Sequence, residues 1–223
     1  AATAVMLVAG LDDLAALVRA GEPREVGRNA RLLATQKGYD YTLYFDKFTT
    51  HLDGAEADKI AVLVRFEDDP ALLFPAIAHS LFERSPRALE EVLSILRTSL
   101  GERWLTSLTG LGTYLAPGGR FDVASAFEGI QAAPSETLDG LAEAIGRTGY
   151  GLRISAERLE REIAAEVEAS LRPAFLRGVG WRLHAFHLLH PKRALARIEQ
   201  EPEPVRGWLR SGYDAARKAD ALR

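Results

Sequence analysis

The chain is organised around the stretch Ile154-Ser-Ala-Glu-Arg-Leu-Glu-Arg-Glu-Ile-Ala-Ala-Glu-Val-Glu-Ala-Ser-Leu-Arg-Pro-Ala-Phe-Leu-Arg177, its longest uninterrupted run of helical signal. Apolar side chains return at every fourth residue, which places them on one face of an α-helix. They are Leu159, Ile163, Val167, Leu171 and Phe175. We therefore predict that residues 155–177 form the helix against which the other segments pack.

Both ends of this predicted helix carry boundary signals. The hydroxyl of Ser155 can accept a hydrogen bond from a first-turn amide, as an N-cap does. Pro173 lacks a backbone N–H, so it should kink the helix or divide it. Gly178 and Gly180 are predicted to end the helix, because glycine commonly follows the last helical turn.

Helical spacing of apolar residues continues outward along most of the chain. It predicts helices over about 3–19, 26–38, 41–52, 55–67, 73–81, 89–100, 104–115, 123–130, 138–145, 181–190, 191–200 and 205–213. Asp69-Pro70 and Ser85-Pro86 each place a capping residue before a proline at the first helical position. Ser135 is a further predicted cap, and a loop is predicted from Gly146.

The predicted fold class is mainly α, with about a dozen helices in a compact bundle or an irregular array of helical hairpins. No motif recurs at a fixed period, so a regular solenoid is not predicted. We expect a single helical domain over 1–223. A possible subdivision separates an acidic body over 1–150 from a long helix and basic helices over 151–223.

The segment 39–66 has an alternative interpretation. Tyr41, Leu43 and Phe45 alternate, and the run 60–66 is rich in β-branched residues, as in a small β-hairpin. The Ala-Glu-Ala-Asp-Lys sequence before Ile60 favours a helix instead, and we predict the helix.

Composition excludes several classes of site. The chain of 223 residues has no cysteine, so it has no disulfide framework, thiolate zinc site or cysteine nucleophile. The apolar residues 1–10 are too few to span a bilayer and lack the basic flank of a signal peptide. We expect a cytoplasmic protein that does not contact a membrane.

The formal charge of −3 conceals an asymmetry. Residues 172–223 carry 11 basic and 5 acidic groups, and residues 1–171 carry 17 basic and 26 acidic groups. The basic end could contact nucleic acid, with Trp181, Trp208 and Tyr213 stacking on bases, or the acidic body of the same fold, which we favour. The candidate nucleic-acid contacts are Lys192, Arg193, Arg197, Arg206 and Arg210.

Three histidines, His184, His187 and His190, are spaced three residues apart. On one helix they would lie within an arc of about 120°, as possible metal ligands or acid–base groups. The outer two would be nearly two turns apart, which is poor geometry for one ion. We therefore expect a polar stripe, because tetrahedral metal sites usually draw ligands from several elements.

The aromatic residues Tyr41, Tyr44 and Phe48 could line a ligand pocket, although aromatic residues at helical spacing are usually core. The glycine-rich segment 146–151 lacks the following Lys-Ser/Thr of a phosphate-binding loop. No residues form a catalytic constellation, and no cofactor is predicted.

The pattern favours a non-catalytic helical protein-interaction or scaffold protein, acting on another protein or on itself as a homo-oligomer. The first alternative is a nucleic-acid-binding protein that uses the basic C-terminal region. The second is a ligand-binding or metal-dependent protein that uses the histidine helix.

Overall fold

A computed structural model describes residues 54–64, 70–83, 85–116, 122–148, 166–187 and 190–221. Over these ranges the regular structure consists of nine α-helices and two 3₁₀ segments, without a strand. The mainly α prediction is confirmed, whereas the predicted dozen helices are not. None of the helices in these ranges combines the length and apolar character needed to cross a bilayer.

The described residues fall into two compact units, one ending at Gly110 and the other beginning at Leu111. The first contains α1 (Glu56–Leu63), α2 (Pro70–Phe82), α3 (Leu89–Leu100) and the 3₁₀ segment Gly101–Gly110. The 3₁₀ segment packs against α2 and α3, and α1 packs against α3. The side chains buried in this unit include Ile60, Ile77, Phe82, Val92, Leu96 and Leu108.

Most of the described residues in the segment that allowed two interpretations are helical. Helix α1 covers Glu56–Leu63, so the predicted helix is confirmed there and a strand at these positions is wrong. The fully buried side chain of Ile60 explains why the apolar run resembles a buried strand. Tyr41, Leu43 and Phe45 lie outside the described residues.

The two proline signals before α2 and α3 have different outcomes. Pro70 is the first residue of α2, as predicted. Pro86 does not begin α3, which starts three residues later at Leu89. The Ser85 hydroxyl accepts a hydrogen bond from the Arg87 N–H at 3.3 Å, so it stabilises a turn before the helix instead of capping it.

The single helix predicted over 104–115 is wrong. The 3₁₀ segment ends at Gly110, and a separate short helix, α4, follows over Gly112–Leu115. Inside the 3₁₀ segment, the Ser107 hydroxyl donates to the Trp104 carbonyl oxygen at 2.6 Å. This bond spans three residues, which fits the tighter repeat of a 3₁₀ helix.

The second unit is built on one long central helix. Its helices are α4, α5 (Val123–Glu128), α6 (Leu138–Arg147), α7 (Arg172–Phe186), α8 (Pro191–Glu199) and α9 (Val205–Ala221). Helix α7 packs closely against both α6 and α9. The predictions for 191–200 and 205–213 are confirmed by α8 and α9, and α9 continues eight residues further.

The helix predicted over 155–177 is interrupted. Glu166 is helical, 167–171 are not, and α7 begins at Arg172 with Pro173 in its first turn. The division at Pro173 is confirmed, whereas a continuous helix to Arg177 is wrong. The Arg172 Nε donates to the Val167 carbonyl oxygen at 2.9 Å, which satisfies a backbone acceptor at the break. The proposed N-cap Ser155 lies outside the described residues.

The prediction that Gly178 and Gly180 end a helix is wrong, because both lie inside α7. A methyl group on Gly178 would overlap the carbonyl oxygen of Glu143 in α6. Conversely, a methyl group on Gly146 would overlap the carbonyl oxygen of Phe175. At each glycine, the backbone of the other helix occupies the space that a side chain would fill. Glycine is therefore needed at both positions for α6 and α7 to approach this closely.

The crossing of α7 with α9 repeats this arrangement. A methyl group on Gly180 would overlap the carbonyl oxygen of Leu209, and one on Gly212 would overlap that of Arg177. Helix α7 is therefore held at two glycine crossings, one with each neighbour.

Two predictions around α6 are also wrong. Ser135 belongs to a 3₁₀ turn before the helix, and the N-cap residue Thr137 makes no side-chain capping bond. The Thr137 hydroxyl donates instead to the Pro134 carbonyl oxygen at 2.6 Å. Gly146 does not start a loop, because α6 continues through Arg147.

Candidate functional site

The three histidines are divided between two elements. His184 lies in α7, His187 follows the last helical residue, and His190 precedes the first residue of α8. The prediction that they share one helix is wrong, because the chain turns between α7 and α8. Within the described ranges, no group of three or more histidine or carboxylate side chains is arranged to hold a metal ion.

His184 packs in the interior of the second unit. Its side chain is buried, and its ring lies edge-on to that of Tyr213 with 5.1 Å between the centroids. Tyr213 is itself only 2% exposed, so it is not available to stack on a base as the sequence suggested. The pair joins α7 to α9 in the interior of the second unit.

His187 lies in a cationic environment at the turn between the helices. Partial burial lowers its pKa below the ordinary value, and the positive charges of Arg193, Arg197 and His190 lower it further. Arg193 and Arg197 therefore act electrostatically on His187, although they belong to a different element.

The cations predicted to contact nucleic acid separate into two groups. Lys192 and Arg193 are exposed in the first turn of α8, and neither has an ion-pair partner among the residues that the structure describes. Arg197, one to two turns further along α8, is half-buried. Burial lowers its pKa, and the negative charge of the buried Glu201 opposes this effect.

The two arginines of α9 that were predicted to contact nucleic acid form ion pairs with carboxylates. Arg206 pairs with Glu203 at 2.9 Å. Arg210 pairs with Asp214 at 3.2 Å and with Glu199 at 3.4 Å. These arginines therefore add little unbalanced charge, whereas Lys192 and Arg193 in the first turn of α8 have no such carboxylate among the described residues.

An exposed aromatic residue precedes Lys192 and Arg193 by six and seven residues in the chain. Phe186, the last residue of α7, is 62% exposed, and its ring lies edge-on to that of His187 with 5.4 Å between centroids. We call this site the α7–α8 corner. It consists of Phe186, His187, His190, Lys192, Arg193 and Arg197.

Sequence reasoning missed Phe186, because the apolar spacing placed it with the core residues of a helix over 181–190. One signal in the sequence points to the corner. The 30 residues 169–198 contain no aspartate or glutamate, but six arginines and lysines and three histidines. The basic charge at the end of the chain is therefore segregated from acidic residues over this run.

A second cluster of charges lies at the crossing of α6 and α7. The Arg147 guanidinium is 3.8 Å from the centre of the Trp181 ring and donates to a Glu143 carboxylate oxygen at 2.6 Å. Burial lowers the pKa of Arg147, and Glu143 opposes this shift. Arg177 approaches the other oxygen of Glu143 at 3.4 Å. Because Arg147 covers the Trp181 ring, this cluster stabilises the helix crossing and does not offer Trp181 to a base.

Tyr41, Tyr44 and Phe48, the candidate pocket residues, lie outside the described residues. The chain matches no protein-family model, no curated protein and no solved structure.

Proposed function

We propose that the protein is a non-catalytic nucleic-acid-binding protein that contacts phosphate groups through the α7–α8 corner. The observation that carries the proposal is that exposed Lys192 and Arg193 follow exposed Phe186 by six and seven residues, within 30 residues that contain no acid. A cationic surface next to an accessible aromatic ring combines the two elements of nucleic-acid binding, phosphate neutralisation and base stacking.

The position of the cations in α8 supports an anionic partner. The first turn of a helix carries unpaired N–H groups and the positive end of the helix dipole. Lys192 and Arg193 add two cations there, and that turn contains no acidic residue to offset them. A phosphate group at this end would reduce the repulsion and accept hydrogen bonds.

A nucleic acid fits the exposed surface better than an apolar protein face. Apolar interfaces need a contiguous patch of several large side chains. Among the side chains whose burial the structure describes, the exposed large hydrophobic ones are Leu105, at 40%, and Phe186, at 62%, which belong to different units. Protein interaction and self-association, predicted from the sequence, stay predictions.

Fluorescence anisotropy of a labelled oligonucleotide, measured between 50 and 200 mM salt, tests the proposal. We expect the affinity of the intact protein to fall steeply with salt, because binding releases counterions from phosphates. The double variant Lys192→Glu/Arg193→Glu should weaken binding at least about tenfold and lower the salt slope by roughly one to two.

The matched control is Arg103→Glu/Lys218→Glu, which makes the same change in net charge at two exposed cations elsewhere. It should retain most of the affinity, since it leaves the corner intact. The proposal is wrong if the intact protein shows no binding at 50 mM salt, or if both double variants lose affinity equally.

A further inference from the structure

Phe186 has an environment unlike that of the other aromatic residues around α7. Phe175 is fully buried, Tyr213 is nearly so, and the Trp181 ring is covered by Arg147. Phe186 leaves more than half of its side chain accessible at the end of the same helix. Its neighbour His187 contacts it with the two ring planes at 85°, so this contact is not a stacked pair.

Phe186 is also close in the chain to the exposed cations of α8, because only four residues separate it from Pro191, where α8 begins. A base stacked on Phe186 would therefore have its flanking phosphates close to the first turn of α8. The exposed Lys192 and Arg193 occupy that turn.

Resting on the proposed function, we propose that the α7–α8 corner binds single-stranded nucleic acid, with one unpaired base stacked on Phe186 and the adjacent phosphates held by Lys192 and Arg193. Bases in a duplex are stacked on each other and present only their edges in the grooves. The face of a base becomes available to an aromatic side chain when the strand is unpaired.

The experiment compares one oligonucleotide as a single strand and as a duplex, with 2-aminopurine replacing one internal base. We expect the intact protein to prefer the single strand and to change the 2-aminopurine fluorescence, which responds to stacking. Phe186→Ala should weaken single-strand binding by about fivefold to 150-fold, the range for loss of one stacked base, and should remove the fluorescence change. Its salt slope should stay the same, because the phosphate contacts are retained.

Two variants separate stacking from a general loss of structure. Phe186→Trp retains an aromatic face and should restore both affinity and the fluorescence change. Leu105→Ala removes the other large exposed hydrophobic side chain and should change neither. Circular dichroism and thermal unfolding of each variant confirm that folding is maintained.

The outcomes distinguish this inference from the proposed function. Equal binding of single strand and duplex, unaffected by Phe186→Ala but weakened by Lys192→Glu/Arg193→Glu, would overturn the stacking inference and leave nucleic-acid binding intact. Preference for the duplex, with loss of duplex binding in Phe186→Ala, would also overturn it and indicate insertion between base pairs. Absence of binding to either form would overturn both.

Discussion

At the scale of single residues, the pKa of His187 responds to the positive charges of the α7–α8 corner. Its pKa lies below the ordinary value of 6.5, first because of partial burial and then because of Arg193, Arg197 and His190. Near pH 6.5, the His187 side chain therefore holds a proton less often in the folded protein than in the unfolded chain. This group therefore makes the free protein less stable as the pH falls through 6.5.

A bound phosphate should raise this pKa, because it offsets the cations that oppose protonation of His187. The complex then takes up a proton, so affinity for an oligonucleotide should increase as the pH is lowered from 7.5 towards 5.5. In His187→Gln this increase should be clearly smaller, because glutamine cannot take up the proton. Anisotropy titrations across this pH range measure the effect.

His79→Gln serves as the control for this prediction, because His79 belongs to α2 in the other unit, where it faces Glu83 at 3.8 Å. It should keep the pH dependence of the intact protein. An identical pH dependence in the intact protein and in His187→Gln would contradict the prediction.

At the scale of elements, α7 is held by close backbone contact at its two glycine crossings. Gly146 and Gly178 form the crossing with α6, and Gly180 and Gly212 form the crossing with α9. A side chain at any of these positions would meet backbone atoms, which cannot rotate away. Helix packing at this distance therefore depends on the absence of a Cβ atom.

Substitution at these crossings should destabilise the second unit. We expect Gly178→Ala and Gly212→Ala each to lower the free energy of unfolding by about 2–3 kcal/mol, because the helices must separate to admit the methyl group. Urea denaturation followed by circular dichroism measures the change.

Gly207→Ala is the matched control within α9. Gly207 is exposed, and the nearest atom to an added methyl group is a side-chain oxygen of Glu203 at 3.3 Å, which can move. Alanine there should raise stability by about 0.5–1 kcal/mol, since glycine costs conformational entropy inside a helix. Equal destabilisation by Gly207→Ala and Gly178→Ala would contradict the crossing argument.

At the scale of the whole molecule, the second unit has a core of its own. Helices α6, α7 and α9 bury apolar side chains and pack against one another within the unit that begins at Leu111. The buried residues of these three helices include Leu141, Ile145, Phe175, Leu176, Leu183, Leu209 and Tyr213. A core of this kind is the usual requirement for independent folding.

We therefore expect a fragment over 111–222 to fold by itself. Its far-ultraviolet circular dichroism should show strong helical minima, and urea should unfold it in one cooperative transition. A fragment that lacks helical signal or unfolds gradually would show that the unit depends on the preceding residues.

The sequence by itself determined the helical class and several boundaries, because these depend on local chemistry. Apolar spacing predicted α6, α8 and α9, and the missing N–H groups of Pro70 and Pro173 marked true helix starts. The basic character of the C-terminal end was also evident from residue counts, together with Lys192 and Arg193 as candidate contacts.

Only the tertiary structure decided what the glycines and the candidate site residues do. Gly178 and Gly180 have the pattern of a helix end, but both glycines lie inside α7. There they allow α6 and α9 to approach α7 closely. Arg206 and Arg210 are neutralised by carboxylates, whereas Phe186 is left exposed. Helical propensity acts over a few neighbouring residues, but close approach, ion pairing and exposure depend on segments distant in the chain.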